Sequence, residues 1–388
     1  MVHLKGDLQM KRILAMIMVL ALAVGLCGCD SNSAHAQEDE YADIVRDATV
    51  IMSFSEGLAA IEKNGKRGYI NTSGEVVIDL VWDAAMDFSE GLAVVEQDGK
   101  WGYIDVSGEM VIKSRWDSIG DFSEGLACIR VNNKYGYINT DGEVVIEPQW
   151  DAARDFSEGL ALVQKKGQWL SYWGYINASG EVISEPQWDD AEKFSGGLAP
   201  VKKGGKWGYI NASGEVVSEP QWKFAGDICD GYALVKKDDK YGYINASGEV
   251  VIEPAWEGDG AFSDGLARVK VDGKFGFIDA SGKIKIKPKW DEVYAFHEGL
   301  AAVKQDGKWG YINTKGKVAI KPKWDSVGHF NEGLAIVKKN GKYGCINAKG
   351  KVIVEIRWKE IWPFNEGVAF AWDETGRHII DTEGNFVV

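Results

Sequence analysis

Phe88-Ser-Glu-Gly-Leu-Ala-Val-Val-Glu-Gln-Asp-Gly-Lys-Trp-Gly-Tyr-Ile-Asp105 returns, with variations, about ten times along this chain of 388 residues. The glycine of its Gly-Leu-Ala triplet falls at Gly57, Gly91, Gly125, Gly159, Gly197, Gly231, Gly265, Gly299, Gly333 and Gly367. Each step is 34 residues except one of 38, whose extra four are Trp169-Leu170-Ser171-Tyr172. A fixed period of this size marks a solenoid, a propeller or another array, in which each unit packs mainly on its neighbours.

Within one unit, Leu92 to Glu96 forms a strand that stops at Asp98-Gly99. Asn64-Gly65, Asp272-Gly273, Asp306-Gly307 and Asn340-Gly341 occupy the same place. Both residues of such pairs tolerate positive φ, as a two-residue hairpin turn requires. The next strand is Lys100-Trp-Gly-Tyr-Ile-Asp105. Glycine weakens a strand, so Gly102 between two aromatics implies a close approach by a neighbouring ring or backbone. An Asn-x-x-Gly turn follows, as in Asn211-Ala-Ser-Gly214. The third strand is clearest at Lys283-Ile-Lys-Ile-Lys287, with strict alternation. Pro148, Pro186, Pro220, Pro254, Pro288 and Pro322 end it, and a tryptophan follows two residues later, Trp222 among them. Connections such as Ala152-Ala-Arg-Asp155 have room for one helical turn. Each unit is thus expected to be a three-stranded antiparallel meander. Helical hairpins fail, because glycines interrupt every candidate helix and the periodicity is two.

The Gly-Lys-Trp-Gly-Tyr-Ile-Asn runs at Gly205–Asn211 and Gly307–Asn313, with Phe-Ser-Glu-Gly-Leu-Ala upstream, resemble the WG-containing, or KWG, bacterial repeat family. The resemblance covers about residues 48–388. Departures are local: Arg67 replaces the aromatic in the first unit, and the last unit runs Gly376-Arg-His-Ile-Ile-Asp381. The family resemblance implies an extracytoplasmic placement and neither catalytic activity nor a cofactor. The expected fold is all-β, an open, twisted, solenoid-like array of about ten units, with a closed β-propeller as the alternative. Propellers typically have four to eight four-stranded blades, and no stray strand at one end completes a unit at the other.

Lys11-Arg12 precede an apolar run from Ile13 to Leu26, too short for an ordinary membrane span. Leu26-Cys27-Gly28-Cys29 resembles a bacterial lipobox, which implies cleavage before Cys29 and a lipid on its thiol. Residues 1–28 then read as a lipoprotein signal peptide, 29–47 as the lipidated cysteine and a flexible tether, and 48–388 as the array. The expected location is the bacterial cell envelope, outside the cytoplasm and lipid-anchored to the membrane.

A net charge of −14 disfavours nucleic acid as a partner, since phosphate neutralisation needs Lys and Arg. Between Asp279 and Lys351, however, 15 Lys face 7 acids. There Lys283, Lys285, Lys287 and Lys289 read as the solvated edge of a strand or as a patch for an anionic polymer. Cys128, Cys229 and Cys345 sit at three phases of the repeat and read as small buried apolar groups. His297, His329 and His378 also fall at different phases and read as surface or capping residues. The acid before each ruler glycine, such as Glu90, Glu124, Glu158 and Asp264, reads as a ladder serving turn stability or solubility. The insertion exposes Trp169, Leu170 and Tyr172 at a hairpin tip, making them contact candidates. The expected function is a non-enzymatic binding scaffold for an envelope protein. The alternative is a cell-wall or glycan-binding module that uses the repeated aromatics. No enzyme activity, cofactor or metal is expected.

Overall fold

The turns carry the backbone geometry that their residues favour. In a computed structural model describing residues 48–50, 52–258 and 260–387, Asp98 and Gly99 have φ of 52° and 73°. They join the strands Leu92–Gln97 and Lys100–Asp105. The Asp105 carboxylate accepts the N–H groups of Ser107 and Glu109 and shapes the next turn. Met110–Trp116 follows as the outer strand. The recurring glycine answers to backbone crowding: a Cβ on Gly102 would lie 2.5 Å from the Ile112 carbonyl oxygen. The register there shifts between Trp101 and Tyr103. The signal-like run, Cys29 and the tether lie outside the described residues.

The unit has four strands, not three. The connection before each Gly-Leu-Ala is itself a strand, Ala84–Ser89 in the second unit, paired to Leu92–Gln97 with a register shift between Ala85 and Phe88. Its bulge and its lack of apolar–polar alternation hid it. The turn joining the two strands is Glu90-Gly91, with φ of 55° and 80°. Glutamate is an unusual residue for that conformation.

The described residues form ten sheets, nine of four strands and a last of three. Their cores lie between sheets. Tyr103, Ile112 and Trp116 of the second pack with Phe122, Ala127, Ile129 and Ile138 of the third. The Tyr103 hydroxyl crosses to the Gly120 carbonyl at 2.7 Å. In the second to fourth and the seventh to ninth sheets the first strands touch one another, which places them innermost.

The array closes on itself. Ser89 Oγ donates to the Phe122 carbonyl of the following sheet, and the Glu90 carboxylate accepts the N–H groups of Glu124 and Gly125. The same contacts join last to first: Asn365 Nδ2 donates to the Phe54 carbonyl, and Glu366 accepts the Gly57 N–H. Phe54 and Phe370 stack at 5.2 Å across that seam. The fold is therefore a ten-bladed β-propeller, the closed arrangement, and the open array is set aside. Side chains close the ring instead of a shared strand. That is why no stray strand was visible at either end.

Candidate functional site

Most repeated groups are spent on holding blades together. The acid ladder links blade to blade except from the fifth to the sixth, where Gly196 replaces the acid: Glu124 reaches Glu158 and Gly159, Asp230 reaches Gly265, and Glu332 reaches Glu366 and Gly367. On the opposite face, Lys100 pairs with Asp117, Lys134 with Asp151 and Lys308 with Asp325. The Lys100, Lys134 and Lys308 hydrogen bonds hold these three carboxyls below the usual range. The outer-strand tryptophans are core: Trp222, Trp290, Trp324 and Trp358 are at most 2% exposed. Second-blade Trp101 and its counterparts are half-buried, apart from the buried Trp309, and lysines cover several of them, as Lys202 covers Trp207.

A functional site should show where this pattern breaks. Ser55, Ser89, Ser123, Ser157, Ser195 and Ser263 each donate to a carbonyl of the next blade. Cys229 and His297 stand at that phase in the sixth and eighth blades, and neither supplies the hydroxyl. There a cavity of about 560 Å³ opens, lined by Cys229, Ser263, Arg268, Tyr294, His297 and His329 among others. It is larger than the clefts between the second, third and fourth blades, of about 280 and 320 Å³. The His297 and His329 rings lie 4.2 Å apart, and Tyr294 packs on His329 at 5.3 Å. Burial, and then His297, lower the His329 pKa. Single substitutions at different phases gave no sign in the sequence that the two histidines meet, because only blade-to-blade packing aligns those phases.

Opposite in character is the arc of Asp87, Asp121 and Asp155 on the innermost strands of the second to fourth blades. Water reaches these carboxylates, yet protein crowds them from the blade side. Burial raises all three pKa values, and Asp121 adds to the rise at Asp87 and Asp155. Among the described residues, no group of three or more His, Cys, Asp or Glu is placed to hold a metal ion.

The sequence-derived contact residues scatter. Trp169 and Leu170 are 87% and 61% exposed at the tip of the fourth blade's hairpin, and Tyr172 is half-buried. Lys285, Lys287 and Lys289 lie exposed on the seventh blade's outer strand, Ile284–Trp290, just after Lys283. They are the solvated edge of that strand, and Lys289 stacks on Trp290 at 4.7 Å. Cys128 and Cys345 are buried, which pushes both thiols up to about 12.

Ten segments from residue 49 to residue 371 match the model of the WG containing repeat. No curated protein matches. Among solved structures, a crystal structure of the eukaryotic initiation factor shares 13% identity at a TM-score of 0.47, over 75% of this chain and 89% of that one. Hsv2p of Kluyveromyces lactis shares 11% identity at a TM-score of 0.32, over 50% of this chain and 74% of that one. Likeness this distant says nothing about function.

Proposed function

The chain belongs to the WG-containing repeat family, and we propose on that premise that it is a non-enzymatic, envelope-anchored scaffold that binds a protein partner. The observation carrying this reading is the cavity at Cys229, Tyr294, His297 and His329, where the repeat gives up an inter-blade link and opens space. It lies beside the Glu-Gly turns, at the end of the ring where Asp230 stands. A projecting side chain or loop of a partner fits such a recess. Mixed polar and aromatic walls suit a specific protein contact better than a uniform polymer. The glycan alternative needs a ladder of exposed rings, and the outer-strand tryptophans are buried in the core.

Site-directed cross-linking tests the proposal. A photoreactive amino acid at His297 or His329 should capture one envelope protein that the same group at Asp87, across the ring, does not. Capture that is identical at both places refutes the cavity as the site. Sedimentation of the protein with purified peptidoglycan, reversed by free sugar, would instead establish the glycan reading.

A further inference from the structure

The insertion at Trp169 lies on one face of the ring with two other features. The fourth blade's second strand, Leu160–Lys166, and third strand, Ser171–Asn177, are joined by a turn closed by the Gly167 N–H on the Leu170 carbonyl. This turn projects the indole of Trp169 and the side chain of Leu170 into solvent. Around the tip, Lys165 and Lys166 are exposed, as are Lys203 and Lys206 on the fifth blade's hairpin. That neighbouring tip is Gly204-Gly205, whereas Asp98, Asp238, Asp239, Asp272 and Asp306 occupy the same turn in other blades. The fourth and fifth tips therefore join two exposed apolar side chains to lysines; neither turn has an acid of its own, and the Asp151 and Asp189 carboxylates behind them accept the Lys166 and Gly204 N–H groups.

The described chain also starts on this face. Thr49 pairs with Glu62, at the end of the strand Leu58–Lys63 that leads into the Asn64-Gly65 turn. Ala48 accepts a hydrogen bond from Arg377, which begins the last blade's third strand. The chain therefore enters the ring on the hairpin-tip face.

We propose that this face docks on a membrane surface bearing anionic lipid, with Trp169 and Leu170 entering the headgroup region. Indole is favoured there because it has an apolar body and a polar N–H, and the flanking lysines add attraction to anionic headgroups. An exposed tryptophan beside an exposed leucine is costly on a surface that meets only water. The proposal rests on the anchored reading, and it leaves the cavity's end of the ring turned outward for a partner.

The test uses the intact chain on vesicles of phosphatidylcholine and phosphatidylglycerol in which part of the phosphatidylcholine is brominated. Flotation with the vesicles reports anchoring, and quenching of tryptophan emission by bromine reports docking. Part of the wild-type emission should be quenched. The quenched part should vanish in Trp169→Ala and shrink when phosphatidylglycerol is omitted. Trp169 is exposed, so the variant should melt like wild type. Flotation with identical quenching in wild type and Trp169→Ala overturns the docking proposal and leaves anchoring intact. Failure to float overturns both. A vesicle-free change in sedimentation coefficient on Trp169→Ala would assign the tip to a second copy of the chain and also overturn the proposal.

Discussion

The Glu366 carboxylate accepts the backbone N–H of Gly57 at 2.7 Å, joining residues 309 apart in sequence. Glu90 does the same for Gly125, which is 35 residues on. One contact thus serves both as the internal link and as the closure. It also accounts for glutamate at positive φ: the link offsets a local conformation that L-residues disfavour.

Glycine at these positions deletes the carboxylate and changes the backbone term equally at Glu366 and Glu124, whose φ are 54° and 56°, so comparing the two variants isolates the link. In a closed ring, Glu366→Gly and Glu124→Gly should lower Tm alike, by roughly 2 °C in thermal melts followed by circular dichroism. An open chain would feel only the second, so an unchanged Tm for Glu366→Gly would contradict closure. The protein carries its own control at Gly196. A side chain there would meet Ile228, 2.5 Å from its Cγ2. In the other blades this carboxylate phase is Glu or Asp.

The second prediction concerns the Trp222 indole, which donates to Ser218 Oγ at 3.1 Å. Where isoleucine takes that phase, as at Ile112 and Ile320, the N–H of Trp116 or Trp324 has no partner. The repeat suggests that Ser218→Ile should improve the core. The packing says the opposite. A Cβ on Gly142 would lie 3.0 Å from the Ile112 side chain, whereas one on Gly248 would lie 2.7 Å from the Val217 backbone oxygen. The sixth blade's turn has settled into the space that serine leaves. Ser218→Ile should therefore overpack the seam and cost about 1–3 kcal/mol in urea denaturation. Equal or greater stability would show that the seam can relax.

Acid titration separates the innermost aspartates from the linking ones. Burial raises all three carboxyls, and the Asp121 charge adds to the rise at Asp87 and Asp155. A raised pKa means the folded state holds protons more tightly than the unfolded one. The stabilisation is present below the ordinary carboxyl pKa of about 4 and is lost as pH rises through the raised values. Asp121→Asn should therefore raise Tm at pH 7, and the advantage should fade as pH approaches 4. A pH-independent difference, or a lower Tm at pH 7, would rule out this strain.

Much of a blade could be read from residues alone. Asp98-Gly99 announced one hairpin, Gly102 announced a close backbone, and the length of one repeat announced an exposed Trp169. The first strand stayed hidden because a register shift between Ala153 and Phe156 breaks the apolar–polar alternation along Ala152-Ala-Arg-Asp155. Closure stayed hidden because it depends on where Glu366 finds an amide. Periodicity gives the phase of that carboxylate and says nothing about its partner. The histidine pair was missed for the same reason, since His297 and His329 are neighbours only after the eighth and ninth blades pack.

The remaining prediction tests the inter-blade hydroxyl. Tyr103 donates to Gly120 and Tyr311 donates to Gly328, each crossing a seam to the carbonyl 17 residues on. The seventh blade has Phe277 at that phase, fully buried and 4.8 Å from the Phe296 ring. Its counterpart carbonyl belongs to Tyr294, on the wall of the cavity. Phe277→Tyr should restore the missing tether at little steric cost and add about 1 kcal/mol of stability, while Tyr103→Phe should lose about as much. Because the tether would also hold Tyr294, cross-linking from His297 should change in Phe277→Tyr and stay unchanged in Tyr103→Phe. If Phe277→Tyr destabilises, the seventh and eighth blades are spaced differently from the rest, and the cavity follows from that spacing and not from Cys229 and His297.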